Sequence, residues 1–168
     1  MESQNECDHN CTCSTYTVAT QSLDEMDFER GIWYAAQYGD LERVKKLVKD
    51  KHCVNMKDSA GYTALHYAAR NGHFAVCKFL LENGAQVDAI TKGHSTALCR
   101  AALTGKEDIV DLLLSNNANP LIKDSDGKTA LHRAAENKHY GICKKLLSVA
   151  PILNEMKDNR GNVPDIGD

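Results

Sequence analysis

The residues best suited to chemistry by type and spacing stand near the start of the chain. Cys7, His9, Cys11 and Cys13 place four soft donors within seven residues. Thiolate and imidazole are the ligands zinc favours, and exposed clustered thiols are open to oxidation. The pattern C-x-H-x-C-x-C lacks the C-x₂₋₄-C knuckle and second distant pair of a structural zinc site. The first reading is therefore a polar leader with reactive thiols, and a zinc- or redox-responsive element is the alternative. His66 and His132 suit general acid–base work by type, but they repeat a spacing that His73 and His139 also keep. A catalytic histidine has no reason to recur at a structural period, so these four read as structural. Gly127-Lys128-Thr129 has the end of a phosphate loop, yet the glycine required five residues earlier is Ile122. Neither H-E-x-x-H nor G-x-S-x-G occurs. The expectation is a chain without catalysis and without a cofactor.

The elements that hold these residues come from an internal repeat. Thr63-Ala64-Leu65 returns as Thr96-Ala97-Leu98 and as Thr129-Ala130-Leu131, 33 residues apart each time. Ala68-Ala69, Ala101-Ala102 and Ala134-Ala135 keep the frame, as do Leu80-Leu81, Leu113-Leu114 and Leu146-Leu147. Asp58-Ser59-Ala60-Gly61 matches Asp124-Ser125-Asp126-Gly127, while the middle unit has Thr91-Lys92-Gly93-His94 instead. A degenerate copy precedes them, with Ile32, Ala35-Ala36, Gly39 and Leu47-Val48 in register. After a one-residue insertion, Asp158-Asn159-Arg160-Gly161 opens a further copy.

Each unit predicts turn, helix, short turn, helix. Thr63 is a helix N-cap by type, and Gly72 a residue free to take positive φ at the helix end. Val76, Cys77, Phe79 and Leu80 follow at helical spacing, and Asn83-Gly84 closes the second helix. Cys77 and Cys143 share a column with Val44 and Val110, which marks them as small buried hydrophobes. Cys99 stands in the His66/His132 column, and Cys53 in a turn. One such unit cannot bury its apolar face, but stacked units can.

The chain has 168 residues and a net charge of −3. Residues 1–30 carry seven acids and one base, and the remainder 16 acids and 19 bases. Nucleic-acid binding calls for a clustered basic surface, which this distribution does not supply. No apolar run approaches the ~20 residues of a membrane helix. The polar start lacks the basic and apolar regions of a secretory signal. The expectations are an intracellular protein, cytoplasmic and/or nuclear, monomeric, with no nucleic-acid or membrane partner.

A 33-residue period carrying T-x-L-H-x-A resembles the ankyrin repeat, whose motif is T-P-L-H-x-A. The resemblance covers about residues 25–161 and is fullest in 58–90, where Asp58, Gly61, Thr63, Leu65, His66, Ala68, Gly72, His73, Leu80, Leu81, Gly84 and Ala85 all match. The segment from Glu25 to Trp33, the run from Asp58 to His73 and the cysteine-bearing leader are similar to one subfamily in particular. Three departures stand out: Ala64, Ala97 and Ala130 replace the motif proline, Cys99 replaces its histidine, and Lys138 replaces the helix-ending glycine. The resemblance implies an all-α ankyrin solenoid of stacked helix-turn-helix units. We divide it into a disordered acidic, cysteine-containing leader (1–21), an N-terminal capping repeat (22–57), repeats at 58–90, 91–123 and 124–157, and a truncated C-terminal repeat (158–168). Ser22-Leu23-Asp24-Glu25 has capping-box spacing at the start of the first helix.

The resemblance also implies a protein–protein interaction module, an adaptor or scaffold, that meets a partner protein with its concave face and turn tips. At the tips this picks out Lys57, Ser59, Ala60, Tyr62, Ile90, Lys92, Ser95, Lys123, Ser125, Asp126 and Lys128. At the ends of the first helices it picks out Gln37, Tyr38, Arg70, Asn71, Leu103, Thr104, Glu136 and Asn137. Tyr38, Tyr62, Arg70, Ile90 and Leu103 are the expected hot spots, with exposed Ile90 and Leu103 giving a small apolar centre and Lys57, Lys92, Lys123 and Lys128 a basic edge. Asn55, in the turn after Leu47, is the position the resemblance marks for asparagine hydroxylation.

Overall fold

The computed structural model describes residues 31–51 and 53–167. Among the described residues it is all-helical, with eight α-helices in four pairs. The pairs are α1 (Ile32–Tyr38) with α2 (Leu41–Lys51), α3 (Ala64–Asn71) with α4 (Phe74–Glu82), α5 (Ala97–Leu103) with α6 (Glu107–Ser115), and α7 (Ala130–Glu136) with α8 (Tyr140–Val149). A 3₁₀ turn, Pro151–Glu155, follows α8 and buries Leu153.

The first helices α1, α3, α5 and α7 pack in one row, and the second helices α2, α4, α6 and α8 in another. The alanine pairs explain the close approach of the first row: Ala35, Ala36, Ala68, Ala69, Ala101, Ala102, Ala134 and Ala135 are all buried. Leu65, Leu98 and Leu131 fill the space beside them, and Leu80, Leu113 and Leu146 do so from the second row. One continuous apolar core runs through all four pairs. Burying a leucine side chain contributes roughly 1.5–3 kcal/mol, so the core depends on neighbouring units being present. Cys77 and Cys143 belong to it, as do Cys53 and Cys99. Burial pushes the Cys77 thiol up to about 12 and raises those of Cys99 and Cys143.

The turns repeat as faithfully as the helices. Gly72 ends α3 with φ +81°, and Gly39 and Gly105 hold the same place in neighbouring units. Lys138 occupies that column in the last unit and still adopts φ +59°. The other two non-glycine residues with positive φ among the described ones follow the same logic. His94 stands in the column of Gly61 and Gly127, and Asn117 in that of Gly84. The stack imposes the left-handed conformation even where the residue type disfavours it. At Gly39 and Gly105 a second constraint acts, because an added Cβ would lie 2.6 Å from the rings of His73 and His139. His73 Nε2 also lies 2.9 Å from the Gln37 carbonyl.

Candidate functional site

Three five-residue turns project between the helix pairs, at 58–62, 91–95 and 124–128, and a fourth of the same form, at 158–162, follows the last pair. Each is closed by the same two backbone bonds, such as Asp58 N to Tyr62 O and Gly61 N to Asp58 O. Neighbouring turns are also tied together. Lys92 N donates to Ala60 O, Ser125 N to Gly93 O and Asn159 N to Asp126 O, at 2.9–3.0 Å. The turns therefore form a continuous ladder of fingers along one side of the stack.

A carboxylate braces the first, third and fourth fingers. Asp58 Oδ1 accepts from the backbone N–H groups of Ala60 and Tyr62, while its Oδ2 accepts the Tyr67 hydroxyl at 2.6 Å. Asp124 Oδ1 likewise accepts from Asp126 and Lys128, and its Oδ2 takes Arg133 Nε at 2.8 Å and Nη2 at 2.5 Å. Asp158 Oδ1 accepts from Arg160 and Asn162. In each case one oxygen holds the turn; in the first and third fingers the other reaches the helix behind it.

Histidine makes the next connection. Thr63 N–H donates to His66 Nδ1 at 3.1 Å, so that nitrogen is an acceptor and the ring proton sits on Nε2. Nε2 then donates to the Ser95 carbonyl of the second finger at 3.0 Å. His132 repeats this from Thr129 to Asn162 O. Burial lowers the His66 pKa from 6.5 to about 4, which keeps the ring neutral and this tautomer in place. The histidines are structural, as their recurrence implies.

The middle unit breaks both rules. Thr91 replaces the aspartate, and its hydroxyl accepts only the Ser95 N–H, at 3.1 Å. Cys99 replaces the histidine and sends no ring to the third finger. Arg100, in the column of Tyr67 and Arg133, therefore has no carboxylate from its own finger. Its guanidinium carbon lies 5.3 Å from the Tyr62 ring centroid. Among the described residues, Nε of Arg100 is buried without a hydrogen-bond partner. A notch of about 400 Å³ opens beside it, between the second and third fingers and the first helices.

Six of the sequence-predicted positions meet in this notch: Ala60, Tyr62, Lys92, Ser95, Leu103 and Ser125. The others are dispersed. Lys128 and Glu136 pair with each other and border a second cleft, toward Arg160 and Pro164. Tyr38 is 62% exposed at the end of α1, far along the stack from the notch in sequence frame. Arg70 and Asn71 are exposed at the end of α3, and Ser59 at a finger tip. Thr104 is half-buried, and its hydroxyl bonds the carbonyls of Arg70 and Arg100, which ties two first helices together. Ile90 and Leu103 are half-buried, not exposed as expected from the sequence, because each is partly covered by its own stack.

The expected basic edge is also smaller than the lysine count implies. Lys57 Nζ donates to Ile90 O and Lys123 Nζ to Lys157 O, each bracing the next finger. Asn55 is engaged as well, giving Nδ2 to Gly84 O and accepting the Gln86 N–H. Cys7, His9, Cys11 and Cys13, the boundary at 1–21 and the capping box at Ser22 lie outside the described residues. Arg100 was not a predicted site residue. The signal that identifies it is the joint reading of two columns, 58/91/124 against 67/100/133.

Comparison with known proteins agrees with this architecture. A family model described as ankyrin repeats (3 copies) matches residues 6–91, 31–124 and 87–157. Ankyrin repeat domain-containing protein 39 of Bos taurus is 51% identical over 70 residues, which span 40% of this chain and 38% of the relative. Its counterpart in Homo sapiens is 64% identical over 47 residues, 28% of this chain and 26% of the relative. The matched stretches thus span well under half the length of either curated relative. They are the subfamily to which the sequence features of residues 25–33 and 58–73 are similar.

Proposed function

The chain belongs to the ankyrin-repeat family, and from that premise we propose that it acts as a non-enzymatic adaptor. Ankyrin repeats generally mediate protein–protein interaction, and solenoids present extended surfaces for it. In our reading, a partner protein lies along the finger ladder and the ends of the first helices. The observation that carries this is the convergence of Tyr62, Lys92, Ser95 and Leu103 on the notch beside Arg100. Tyrosine and arginine, which stand beside this recess, are residue types that dominate binding energy at interfaces, and Leu103 adds apolar area to it. The surrounding fingers are braced by internal bonds, so little order has to be acquired on binding. Tyr38, Arg70 and Asn71 extend the same surface toward the first unit.

The test is affinity capture from cells with the full chain as bait, beside the Tyr62→Ala/Arg70→Ala/Leu103→Ala variant. A partner retained by the parent and lost by the variant, with helicity unchanged by circular dichroism, supports the adaptor reading and this face. A partner that binds both equally argues against the face.

A further inference from the structure

The middle unit keeps the arginine of a finger-to-helix ion pair but has lost the acid. In the third unit Asp124 Oδ2 takes both Nε and Nη2 of Arg133, while Oδ1 holds the finger. Position 91 offers one hydroxyl oxygen, and the Ser95 N–H uses it. Arg100 is left with a buried Nε that bonds nothing among the described residues. Its planar group is held beside the Tyr62 ring, so it is oriented, and among the described residues no acid pairs with it. The recess it borders also carries Lys92 and Arg133. Among the described residues one acid lines it, Asp124, which is committed to Arg133 and to two turn N–H groups.

We propose that the notch between the second and third fingers is a receptor for one carboxylate side chain, an aspartate or glutamate on an extended segment of the partner protein. This rests on the adaptor reading above and names the chemistry its partner must present. The incoming carboxylate meets Arg100 from the notch through the two terminal nitrogens, the buried Nε behind them staying within the chain. A planar, forked guanidinium matches a planar carboxylate in two parallel bonds. Desolvated in the recess, that pair discriminates sharply against a neutral amide, which leaves the charge unmatched. Tyr62 and Leu103 form the apolar wall that excludes water from it.

The experiment follows the Nε–Hε signal of Arg100 by NMR in the ¹⁵N-labelled full chain. Three probes are titrated: acetyl-Gly-Glu-Gly-amide, the same peptide with glutamine, and inorganic phosphate. The proposal predicts a saturable shift of the Arg100 signal with the glutamate peptide and at least tenfold weaker binding of the glutamine peptide. It also predicts that Thr91→Asp, which places a carboxylate inside the chain, abolishes the response. Arg100→Lys serves as the second variant, since it keeps the charge without the fork, and is predicted to weaken the glutamate peptide at least tenfold. A response to phosphate alone, an Arg100 signal that moves no more than that of exposed Arg70, or an undiminished response in Thr91→Asp overturns the proposal. So does an Arg100 signal that responds to salt but not to the peptide, which points to an acid of the chain itself as occupant. If the notch fails while the triple variant still loses a captured partner, the adaptor reading stands without it.

Discussion

The units on either side of the middle one are braced from finger to helix; the middle unit is not. Asp58 and Asp124 each connect a finger to the helix behind it, and His66 and His132 each connect a helix to the following finger. Thr91 and Cys99 make neither connection, yet the middle finger keeps its two closing backbone bonds and its place in the ladder. The fold thus tolerates the loss of these side-chain braces in one unit when both neighbours supply them. What the loss leaves behind is a recess and an oriented arginine that pairs with no acid among the described residues.

The comparison breaks most easily at Asp124. Asp124→Ala removes the most buried of the three acids around Arg133, leaving Asp126 and Glu136, and frees two turn N–H groups, so urea unfolding is expected to show a loss of about 2–3 kcal/mol. Thr91→Ala removes a single neutral hydrogen bond and is expected to cost only about 1 kcal/mol. Similar losses at the two positions would mean that the units are braced alike.

Histidine gives the units different responses to acid. The folded pKa of His66 lies at about 4 against 6.5 in the unfolded chain, so between these values the unfolded state binds more protons. Stability from this residue is complete above pH 6.5 and is lost as pH falls toward 4, by about 3 kcal/mol at most. Melting temperatures across that window should fall, and His66→Gln should flatten the slope. The middle unit, with Cys99, contributes nothing to it.

Smaller effects sharpen the picture at the turns. Lys138 pays the left-handed cost that Gly39, Gly72 and Gly105 avoid. Lys138→Gly is therefore expected to stabilise the chain by about 0.5–1 kcal/mol, the αL penalty less the extra freedom of an unfolded glycine. A decrease in the urea midpoint would show that Lys138 makes a compensating contact.

Much of this architecture is legible in the sequence because it repeats. Thr63, Leu65, the alanine pairs and Gly72 each recur at one spacing, and the structure gives each column one environment. Even the exceptions are legible: Lys138 stands in a glycine column and takes the glycine's conformation. The side-chain network is less so. Reading Lys57 and Lys123 as surface charge overlooks that each reaches a carbonyl about 33 residues ahead, a contact created only by stacking. Arg100 escapes for a related reason. Its significance lies in a missing acid nine residues earlier, on the far side of a finger, and the column that displays the absence does not display the arginine it affects.

The central claim is that Arg100 keeps the repeat position of Arg133 while the acid of its own finger is missing. A double-mutant cycle in urea, combining Thr91→Asp with Arg100→Gln, tests it most directly. The account predicts that Thr91→Asp alone stabilises the chain by about 1–2 kcal/mol, and that this gain falls by about 1 kcal/mol when Arg100 is also replaced, leaving only what the turn N–H bonds contribute. A Thr91→Asp variant that is no more stable than the parent, or whose gain is undiminished by the loss of Arg100, would contradict it.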